Sequence, residues 1–321
     1  MPLVVLNVWN YNRNGSFFHK RDWGLMHLSF LSNLINGISL GSVYAIIALG
    51  YTMVYGIAKM LNFAHGDVIM IGAYISFCVT QYLKLPAWLS VLAAMFVCTL
   101  LGMTIERLAY KPLRSAPSLA VLITAIGMSY LLQNLALLIW GSNPKSFTSI
   151  ISFGPVRLFD GQLIISDVAI VTVLACILIM LALTWFTGKT RMGKAMRAVS
   201  EDKGAAQLMG VNVNRTISVT FAIGSALAAI AGVLLCSAYP TLMPTTGSMP
   251  GIKAFTAAVI GGIGSIPGAM LGSIVLGIIE SICDAIPVIA PYKDAIEFSI
   301  LIVILLVRPT GFLGKKRREK V

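Results

Sequence analysis

Nine apolar runs, separated by short polar connections, set the pattern of the chain. Eight are clear and one is short, and they cover residues 28–55, 68–83, 88–105, 119–140, 168–186, 217–238, 251–260, 268–286 and 295–307. A helix needs about 20 apolar residues to cross the bilayer core, and several runs meet that length. The pattern predicts an all-α, polytopic membrane helix bundle of about 8–9 transmembrane segments, in which the run 251–260 is a half-helix or a re-entrant element.

Composition supports a membrane protein and narrows the function classes. The chain is 57% hydrophobic and 11% charged, whereas soluble domains are about 45–50% apolar and about 25% charged. The net charge of +12 does not indicate nucleic-acid binding, because the basic residues lie in short connections and at the C-terminus without interleaved aromatics. All the cysteines lie in apolar runs without metal-ligand spacing, which predicts small buried hydrophobes and neither a metal site nor a disulfide framework.

Lysine and arginine predict the orientation in the membrane. They cluster at 107–114, in the connection 187–215 and in the C-terminal tail, and all three are expected in the cytoplasm. The connections 142–166 and 239–250, which carry little or no charge, are expected outside. Counting spans places the N-terminus outside, although Arg13, Lys20 and Arg21 oppose that placement.

The same features divide the chain into three regions. Residues 1–27 are predicted to be a leader or interfacial segment, 28–314 a transmembrane domain, and 315–321 a basic cytoplasmic tail. The transmembrane domain includes the cytoplasmic connection 187–215. Small residues spaced four apart predict close helix packing, because in lipid they let backbones approach; they are Gly37 and Gly41, then Gly224, Ala228 and Gly232, and finally Gly264, Gly268 and Gly272.

Two glycine-containing stretches resemble phosphate-binding loops but lack their spacing. TGKT at 187–190 lacks the glycine that a phosphate-binding loop needs five residues earlier, because that position is Leu183. GGIGSIPG at 261–268 has Pro267 where a dinucleotide-binding loop needs its third glycine. It predicts a tight membrane turn with Pro267 near the start of the next helix, or a broken element beside a transport pathway.

Ionisable residues near membrane depth are the other candidates. In NFAHGD (62–67), His65 and Asp67 predict either a helix start at the interface or a pathway or gate element. Glu280 is expected to face the bundle or a polar cavity. Interface positions are predicted for Asp284, Lys293 and Asp294, and hydrogen bonds between helices for Gln133 and Asn134. No activated nucleophile and no carboxylate pair with a base is evident, so an enzyme is disfavoured.

The stretch GKAMRAVSEDKGAAQLMG (193–210) predicts a short helical element on the cytoplasmic side. Ser200 is a good N-cap, Glu201 and Asp202 fill a first turn where negative charge is favoured, and Gly210 stands where a left-handed residue ends a helix. Residues 194–199 are expected to form a separate short helix. The cap, the stop and a face of small residues together predict a docking element, whose small residues are Ala198, Ala205 and Ala206.

Four stretches resemble the LivH-type branched-chain amino-acid permeases of ABC importers. They are NGISLGSVYAIIALGYTMVYGIAKMLNFAHGD (36–67), RMGKAMRAVSEDKGAAQLMGVN (191–212), KAFTAAVIGGIGSIPGAMLG (253–272) and YKDAIEFSILIVILLVRPTGFLG (292–314). Glu201, Ala205 and Gly210 resemble the E-A-A…G cytoplasmic loop of such permeases, although the alanine pair comes late. The resemblance covers about 34–314, and the first 27 residues are longer than the family leads one to expect.

The resemblance implies an ABC importer permease fold in a bacterial inner membrane and a set of partners. These would be a second related permease, two ATP-binding subunits and a periplasmic protein that delivers leucine, isoleucine or valine. The chain itself would bind no cofactor and catalyse nothing, since ATP would be bound and hydrolysed by the partner subunits. The implied coupling residues are Arg197, Glu201, Ala205 and Gly210.

The candidates to line or gate the pathway are Asn62, His65, Asp67, Gly261, Gly262, Gly264, Ser265, Pro267 and Glu280. Two alternatives remain open at this point. A related permease group carries urea or short amides, and the motifs do not separate it from the amino-acid permeases. A stand-alone secondary transporter predicts membrane-embedded charge pairs and needs no docking element.

Overall fold

Helices make up most of the computed structural model, which describes residues 20–114, 116–158 and 163–314, with side chains from residue 29 onward. Within these ranges the helices are α1 (Lys20–Ala58), α2 (His65–Gln81), α3 (Ala87–Ile105), α4 (Ser118–Trp140), α5 (Asp167–Lys189), α6 (Arg191–Glu201), α7 (Lys203–Leu208), α8 (Val213–Ala238), α9 (Ser248–Gly261), α10 (Ile266–Ala285) and α11 (Lys293–Val307). Shorter turns continue or precede them: a π-helix Glu106–Tyr110 and 3₁₀ turns Lys111–Leu113 and Ala290–Tyr292.

Each predicted apolar run coincides with one helix. The first helix begins at Lys20, inside the segment predicted as a leader, and residues 1–19 of that segment lie outside the described residues. The predicted basic tail, 315–321, lies outside them as well. The all-α prediction is therefore confirmed for the body of the described chain.

Six helices in the described part of the chain are long and apolar enough to cross a bilayer, namely α1, α3, α4, α5, α8 and α10. Three others are shorter: α2 has 17 residues, α9 has 14 and α11 has 15. At 1.5 Å per residue, each falls short of a bilayer core of about 30 Å. The predicted count of about 8–9 spans is thus not confirmed, because three apolar runs form short helices.

Helix α1 is the centre of the bundle. It packs against α5, α8, α9 and α10, and 83% of its apolar span is buried inside the protein. By contrast, only 17% of the span of α4 is buried, so most of that helix faces outward. The outward side chains are largely apolar, as a lipid-facing surface requires.

Glycines allow the central helices to touch through their backbones. A Cβ atom on Gly37 of α1 would lie 2.7 Å from Ile278 Cα of α10, and one on Gly41 would lie 2.7 Å from Ile274 Cα. On α8, Gly232 contacts the backbone of α2 in the same way. The predicted close approach of helices at small residues is confirmed. Close packing of backbones stabilises a helix bundle in lipid, where the hydrophobic effect does not drive helices together.

Two small antiparallel sheets lie in the connections. The first pairs β1 (Lys145–Ser146) with β4 (Thr241–Leu242), and the second pairs β2 (Val156–Leu158) with β3 (Leu163–Ile165). Because β1 follows α4 and β4 precedes α9, the first sheet links the α4–α5 connection to the α8–α9 connection.

Candidate functional site

The first turns of α2 and α9 meet through glycine backbones. A Cβ atom on Gly66 would lie 2.6 Å from the Gly247 carbonyl oxygen, and one on Gly251 would lie 2.9 Å from Gly66 Cα. Real Cβ atoms do not approach backbone so closely, so this junction admits no side chain. Both helices are short, and broken helices inside a bundle are where transporters place polar backbone.

A polar bridge holds the junction to α4. Asp67 is 1% exposed and accepts a hydrogen bond from Gln133 Nε2 at 2.9 Å, while the same amide nitrogen lies 3.3 Å from Ser248 Oγ of α9. The predicted interhelical hydrogen bond of Gln133 is confirmed. The same prediction for Asn134 is wrong, since its amide donates to the carbonyl of Tyr130 within α4.

His65 begins α2, as predicted, but it is buried in the bundle and not at an interface. Its ring centroid lies 4.5 Å from that of Tyr51, and the residue is 1% exposed. The ring fits because position 50 is glycine: a Cβ atom there would lie 2.6 Å from His65 Nε2. Nε2 has no hydrogen-bond partner among the described residues. Sequence signals for the start of a helix do not predict whether the first residue is buried. The pathway or gate role of His65 stays a prediction.

The segment 59–64 connects α1 to α2 and is tied down from the side. Asn62 Oδ1 accepts a hydrogen bond of 2.9 Å from Tyr110 Oη, which belongs to the π-helix after α3. Lys59 opens the segment with φ +58°, a left-handed conformation uncommon for residues other than glycine. Single π-turns and such backbone outliers are frequent at functional sites.

The predicted docking element is two helices, but its caps differ from the prediction. Thr190 Oγ1 accepts from the Gly193 N–H at 3.0 Å and caps α6, and Asp202 Oδ1 accepts from the Ala205 N–H at 3.0 Å and caps α7. Ser200 is not a cap, because α6 continues through it and its hydroxyl donates to a carbonyl in the preceding turn. The expected short helix 194–199 is part of this longer α6.

The end of α7 matches the prediction. Gly210 has φ +82°, and the Val211 N–H donates to the Ala206 carbonyl at 3.0 Å. This is how a left-handed residue at C′ satisfies the last carbonyls of a helix. Just before it, Leu208 is 91% exposed and Met209 is 83% exposed, so the tip of α7 is an apolar surface in contact with no other described part of the protein.

The four predicted coupling residues are all exposed; they are Arg197, Glu201, Ala205 and Gly210. Of the small residues predicted to form the docking face, Ala198 and Ala205 are exposed, whereas Ala206 is buried against the protein's own bundle. Their use in coupling stays a prediction.

The glycine-rich stretch 261–268 forms the predicted tight turn. Gly262 and Gly264 have φ of +104° and +97°, and Ser265 Oγ accepts from the Gly268 N–H at 3.2 Å to cap α10. Pro267 lies in the first turn of α10, where its missing N–H costs nothing. The turn is therefore a defined structural element, and its position beside a pathway stays a prediction.

The C-terminal segment packs over this turn. The Phe312 N–H donates to the Ile260 carbonyl and the Leu313 N–H donates to the Gly261 carbonyl, both at 2.9 Å. These bonds satisfy two of the carbonyls that a helix end leaves unpaired. They also place the segment after α11 against the end of α9.

A buried ion cluster joins α9, α10 and α11. Lys253 Nζ lies 2.7 Å from Glu280 Oε1, 2.7 Å from Asp294 Oδ1 and 3.4 Å from Glu297, and Tyr44 Oη of α1 donates to Glu280 Oε2 at 2.8 Å. Lys253, Glu280 and Glu297 are each at most 4% exposed. We call this the α9–α11 ion cluster. Glu280 therefore faces a polar centre inside the bundle, as predicted.

The outer edge of this cluster reaches the surface. Lys293 Nζ lies 3.2 Å from Glu280 Oε1 and 3.0 Å from Asp284 Oδ2, and the Asp284 and Asp294 side chains are each nearly half exposed. The interface positions predicted for Asp284, Lys293 and Asp294 fit this exposure. Lys253 was missed, although an ionisable residue inside an apolar run is itself a signal for a site.

A second polar region, which we call the loop-side network, lies where the connection 187–215 meets the bundle. Arg114 forms an ion pair with Glu106 and a hydrogen bond with Asn214, and the Ser218 hydroxyl donates to Glu106 at 2.6 Å. The network therefore joins the π-helix to the start of α8.

On α7, Lys203 extends the same network to α1. Its Nζ donates to the Ala58 carbonyl, the last residue of α1, at 3.0 Å. A cation at a helix C-terminus satisfies an unpaired carbonyl and complements the helix dipole. The Lys203–Ala58 bond therefore holds the start of segment 59–64, and the Tyr110–Asn62 bond holds its middle.

Comparison with known proteins identifies the family. Residues 33–305 match the family described as "Branched-chain amino acid transport system / permease component". The chain belongs to this permease family. The match covers all the candidate site residues and both polar regions described above.

Curated relatives match along most of their length. The high-affinity branched-chain amino acid transport system permease protein LivH of Salmonella typhimurium is 47% identical, over 92% of this chain and 98% of the relative. BraD of Pseudomonas aeruginosa, described in the same terms, is 45% identical over 91% and 98%. The ribose import permease RbsC of Haemophilus influenzae is 25% identical over 89% and 87%. Permeases named for different substrates thus resemble this chain along most of its length.

Proposed function

We propose that this chain is a membrane permease subunit of an ATP-driven importer for the branched-chain amino acids leucine, isoleucine and valine. The observation that carries the proposal is the 47% identity to LivH over 92% of the chain. That identity far exceeds the 25% to a ribose import permease, so an amino-acid substrate is favoured over a sugar.

The permease works with partners in this proposal. A second related permease completes the transmembrane part, two ATP-binding subunits bind and hydrolyse ATP, and a periplasmic protein delivers the substrate. The setting is the inner membrane of a bacterium, with the C-terminus and the connection 187–215 in the cytoplasm. Contacts in the structure support placing the connection and the C-terminal segment on the same side of the membrane. Lys203 of α7 contacts Ala58 at the end of α1, and Gly56 of α1 lies against the turn 261–268. The C-terminal segment packs over that same turn.

The proposed domain organisation follows this orientation. Residues 28–314 form the transmembrane permease domain, with 187–215 as the coupling loop. Residues 1–27 lead into the first span, and 315–321 form a basic tail that suits the anionic cytoplasmic membrane surface.

Coupling begins at the exposed tip of the loop. The exposed Leu208 and Met209 supply apolar contact area, and Glu201 and Arg197 supply charge, for a cleft in an ATP-binding subunit. A rigid tip is needed to pass on movement, and the Asp202 cap and the Gly210 stop give α7 defined ends.

The loop-side network is the route from that tip to the pathway. Movement of α7 pulls on the Lys203–Ala58 bond at the end of α1, and segment 59–64 carries it to the first turn of α2. The Tyr110–Asn62 bond restrains the middle of the segment. The displacement of α7 is therefore transmitted to α2 and is not absorbed by a flexible connection.

The pathway is proposed to run along this chain beside the α2–α9 junction, between the two permeases. Asn62, His65 and Asp67 line or gate it, and the backbone contact of Gly66 with Gly247 is its pivot. Glu280 shapes it from the ion cluster, and the turn that contains Gly261, Gly262, Gly264, Ser265 and Pro267 acts as a hinge at the loop-side end of α9.

Substrate competition tests the proposal. The complete importer, reconstituted in liposomes with ATP and its binding protein, is expected to take up labelled leucine, with competition by isoleucine and valine. Urea and acetamide at the same concentrations should compete poorly. Uptake of urea or acetamide in preference to leucine would assign the chain to the related urea and amide permeases.

A stand-alone secondary transporter is the second candidate, and the α9–α11 ion cluster is the observation that favours it, since such transporters use embedded ion pairs. It predicts uptake by this chain alone, driven by an ion gradient. The family and the exposed tip of α7 favour the importer subunit.

A further inference from the structure

Glu297 is the most deeply buried member of the α9–α11 ion cluster, with an exposed fraction of 0%. Lys253 Nζ lies 3.4 Å from each of its two carboxylate oxygens, which is longer than a charge-assisted hydrogen bond of about 2.7–2.9 Å. Its Oε2 atom has no hydrogen-bond partner among the described residues. Glu297 is therefore a buried acid without a close cation.

Glu280, at nearly the same depth, is surrounded by donors. Its Oε1 atom lies 2.7 Å from Lys253 Nζ and 3.2 Å from Lys293 Nζ, and its Oε2 atom accepts a hydrogen bond of 2.8 Å from Tyr44 Oη. Such contacts stabilise the ionised form of a carboxyl group. The ammonium group of Lys253 therefore compensates the charge of Glu280 and not that of Glu297.

Carboxyl groups outnumber cations in this cluster. Among the described residues, Lys253 and Lys293 face four acids, which are Glu280, Asp284, Asp294 and Glu297. The other titratable groups that interact with Glu297 are uncharged at neutral pH, and they are Tyr44 of α1 and Cys283 of α10. The cluster thus lacks the positive charge to balance an ionised Glu297.

The acids are also crowded. One oxygen from each of Glu280, Asp294 and Glu297 lies within 4.8 Å of the other two. When carboxyl groups share a site in this way, like-charge repulsion makes one of them keep its proton. Burial selects Glu297 for this role, because burying a neutral carboxyl group costs far less than burying a carboxylate.

We infer that Glu297 is a proton-binding site and stays a neutral carboxylic acid in the folded protein at neutral pH. Lys253 then bridges Glu280 of α10 and Asp294 of α11, and it lies 2.7 Å from an oxygen of each. The proton is a structural part of the cluster and need not be transported.

Asp294 connects the proton site to the protein surface. Its side chain is 45% exposed, and it shares the Lys253 ammonium group with Glu297. Asp294 lies in the first turn of α11, whose 15 residues span about 22 Å, and the other end of α11 leads to the segment that packs against the end of α9. In the orientation proposed above, the proton therefore exchanges with the outer side, and the packing of α11 depends on the external pH.

Glu297→Gln tests the proton, because an amide has nearly the shape of a carboxyl group and carries no charge. Melting of the purified full chain in detergent is compared from about pH 5 to about pH 8. Unfolded glutamate ionises above about pH 4, whereas folded Glu297 keeps its proton, so the wild type loses stability as the pH rises. Relative to the wild type, the melting temperature of Glu297→Gln should therefore rise by about 3–5 °C across this range.

Glu280→Gln is the matched control, since it makes the same substitution at an acid that two ammonium groups hold. Near pH 5 it should melt about 5 °C or more below the wild type, whereas Glu297→Gln should melt within about 2 °C of it. A Glu297→Gln chain that melts as far below the wild type as Glu280→Gln, or whose deficit grows as the pH rises, would show an ionised Glu297 and overturn the proposal.

Infrared spectroscopy detects the proton without reference to stability. At neutral pH the wild type should show the C=O stretching band of a buried, protonated carboxylic acid, and Glu297→Gln should lack it. Glu297→Asp keeps an acid and should shift the band, so this measurement stands even where the glutamine variant does not fold. Absence of the band from the wild type, or a band that neither substitution changes, would overturn the proposal.

Discussion

The two polar regions of this protein are built in opposite ways. The centre of the α9–α11 ion cluster joins charged residues that are close in sequence, because Lys253 is only 27 positions from Glu280 and 44 from Glu297, and these three residues are almost fully buried. The loop-side network joins residues that are far apart in sequence, because 145 positions separate Lys203 from Ala58. The Lys203 side chain is only partly buried.

The difference in burial predicts different structural roles for the two polar regions. Removing one member of a buried cluster leaves an uncompensated charge, which is far more costly than the pair is stabilising. The Lys203–Ala58 bond can break and re-form at lower cost because Lys203 is only partly buried. We therefore expect the cluster to hold α9, α10 and α11 as one unit and the Lys203–Ala58 contact to change during transport.

The largest effect is expected from Lys253→Met. Loss of the ammonium leaves Glu297 buried without a cation and leaves Glu280 with only the more exposed Lys293, and the free energy of unfolding should fall by about 3–5 kcal/mol. Denaturation of the purified chain in detergent measures it. Lys293→Met is the control, since its more exposed pairs should cost about 1 kcal/mol or less. Equal losses in both variants would contradict the distinction between a buried centre and an exposed edge.

Changes at the exposed tip come next. Glu201→Lys reverses an exposed charge and should leave stability intact. Gly210→Pro places a proline where φ is +82° and removes the Gly210 N–H that donates to Gln207, so it should disrupt the end of α7 locally. Both should reduce recovery of the ATP-binding subunits in a pull-down by more than about tenfold, or ~1.4 kcal/mol of binding free energy. Lys145→Glu on the β1 side of the protein is the matched charge reversal, and it should not affect recovery. Normal assembly and uptake in both tip variants would rule out docking there.

Lys203→Met should separate assembly from transport. The ATP-binding subunits should still bind, but leucine moved per ATP hydrolysed should fall about fivefold, the equivalent of ~1 kcal/mol for one lost charged hydrogen bond. Lys203→Arg keeps a donor and should restore most of the ratio. An unchanged ratio in Lys203→Met would mean that movement enters the bundle elsewhere.

The smallest effect is expected from Tyr110→Phe. It removes the hydroxyl that donates to Asn62 and leaves the ring in place, so unfolding should lose only about 1 kcal/mol. Hydrogen exchange of the backbone amides of 59–64 should rise if this bond holds the segment. Exchange that matches the wild type would show that the segment is held by packing alone.

Local pattern predicted the helices and their close packing, because apolar runs and small residues act over a few turns. The local pattern did not predict positions that depend on a contact with a residue far away in the sequence. One of the two predictions for Asp67 placed it at the interface, yet Gln133, 66 positions away, holds it inside the bundle. Ser200 was chosen as a cap although Thr190 and Asp202 were equally suitable residues, because sequence alone does not say where α6 ends.

The energy source of leucine uptake tests most directly the central claim that this chain is a subunit of an ATP-driven importer. In liposomes that hold the complete importer with ATP inside and a proton-conducting uncoupler, leucine uptake should continue, and it should stop when ATP is replaced by a non-hydrolysable analogue. Leucine uptake by this chain without the ATP-binding subunits, driven by a proton or sodium gradient and abolished by dissipating that gradient, would contradict the account.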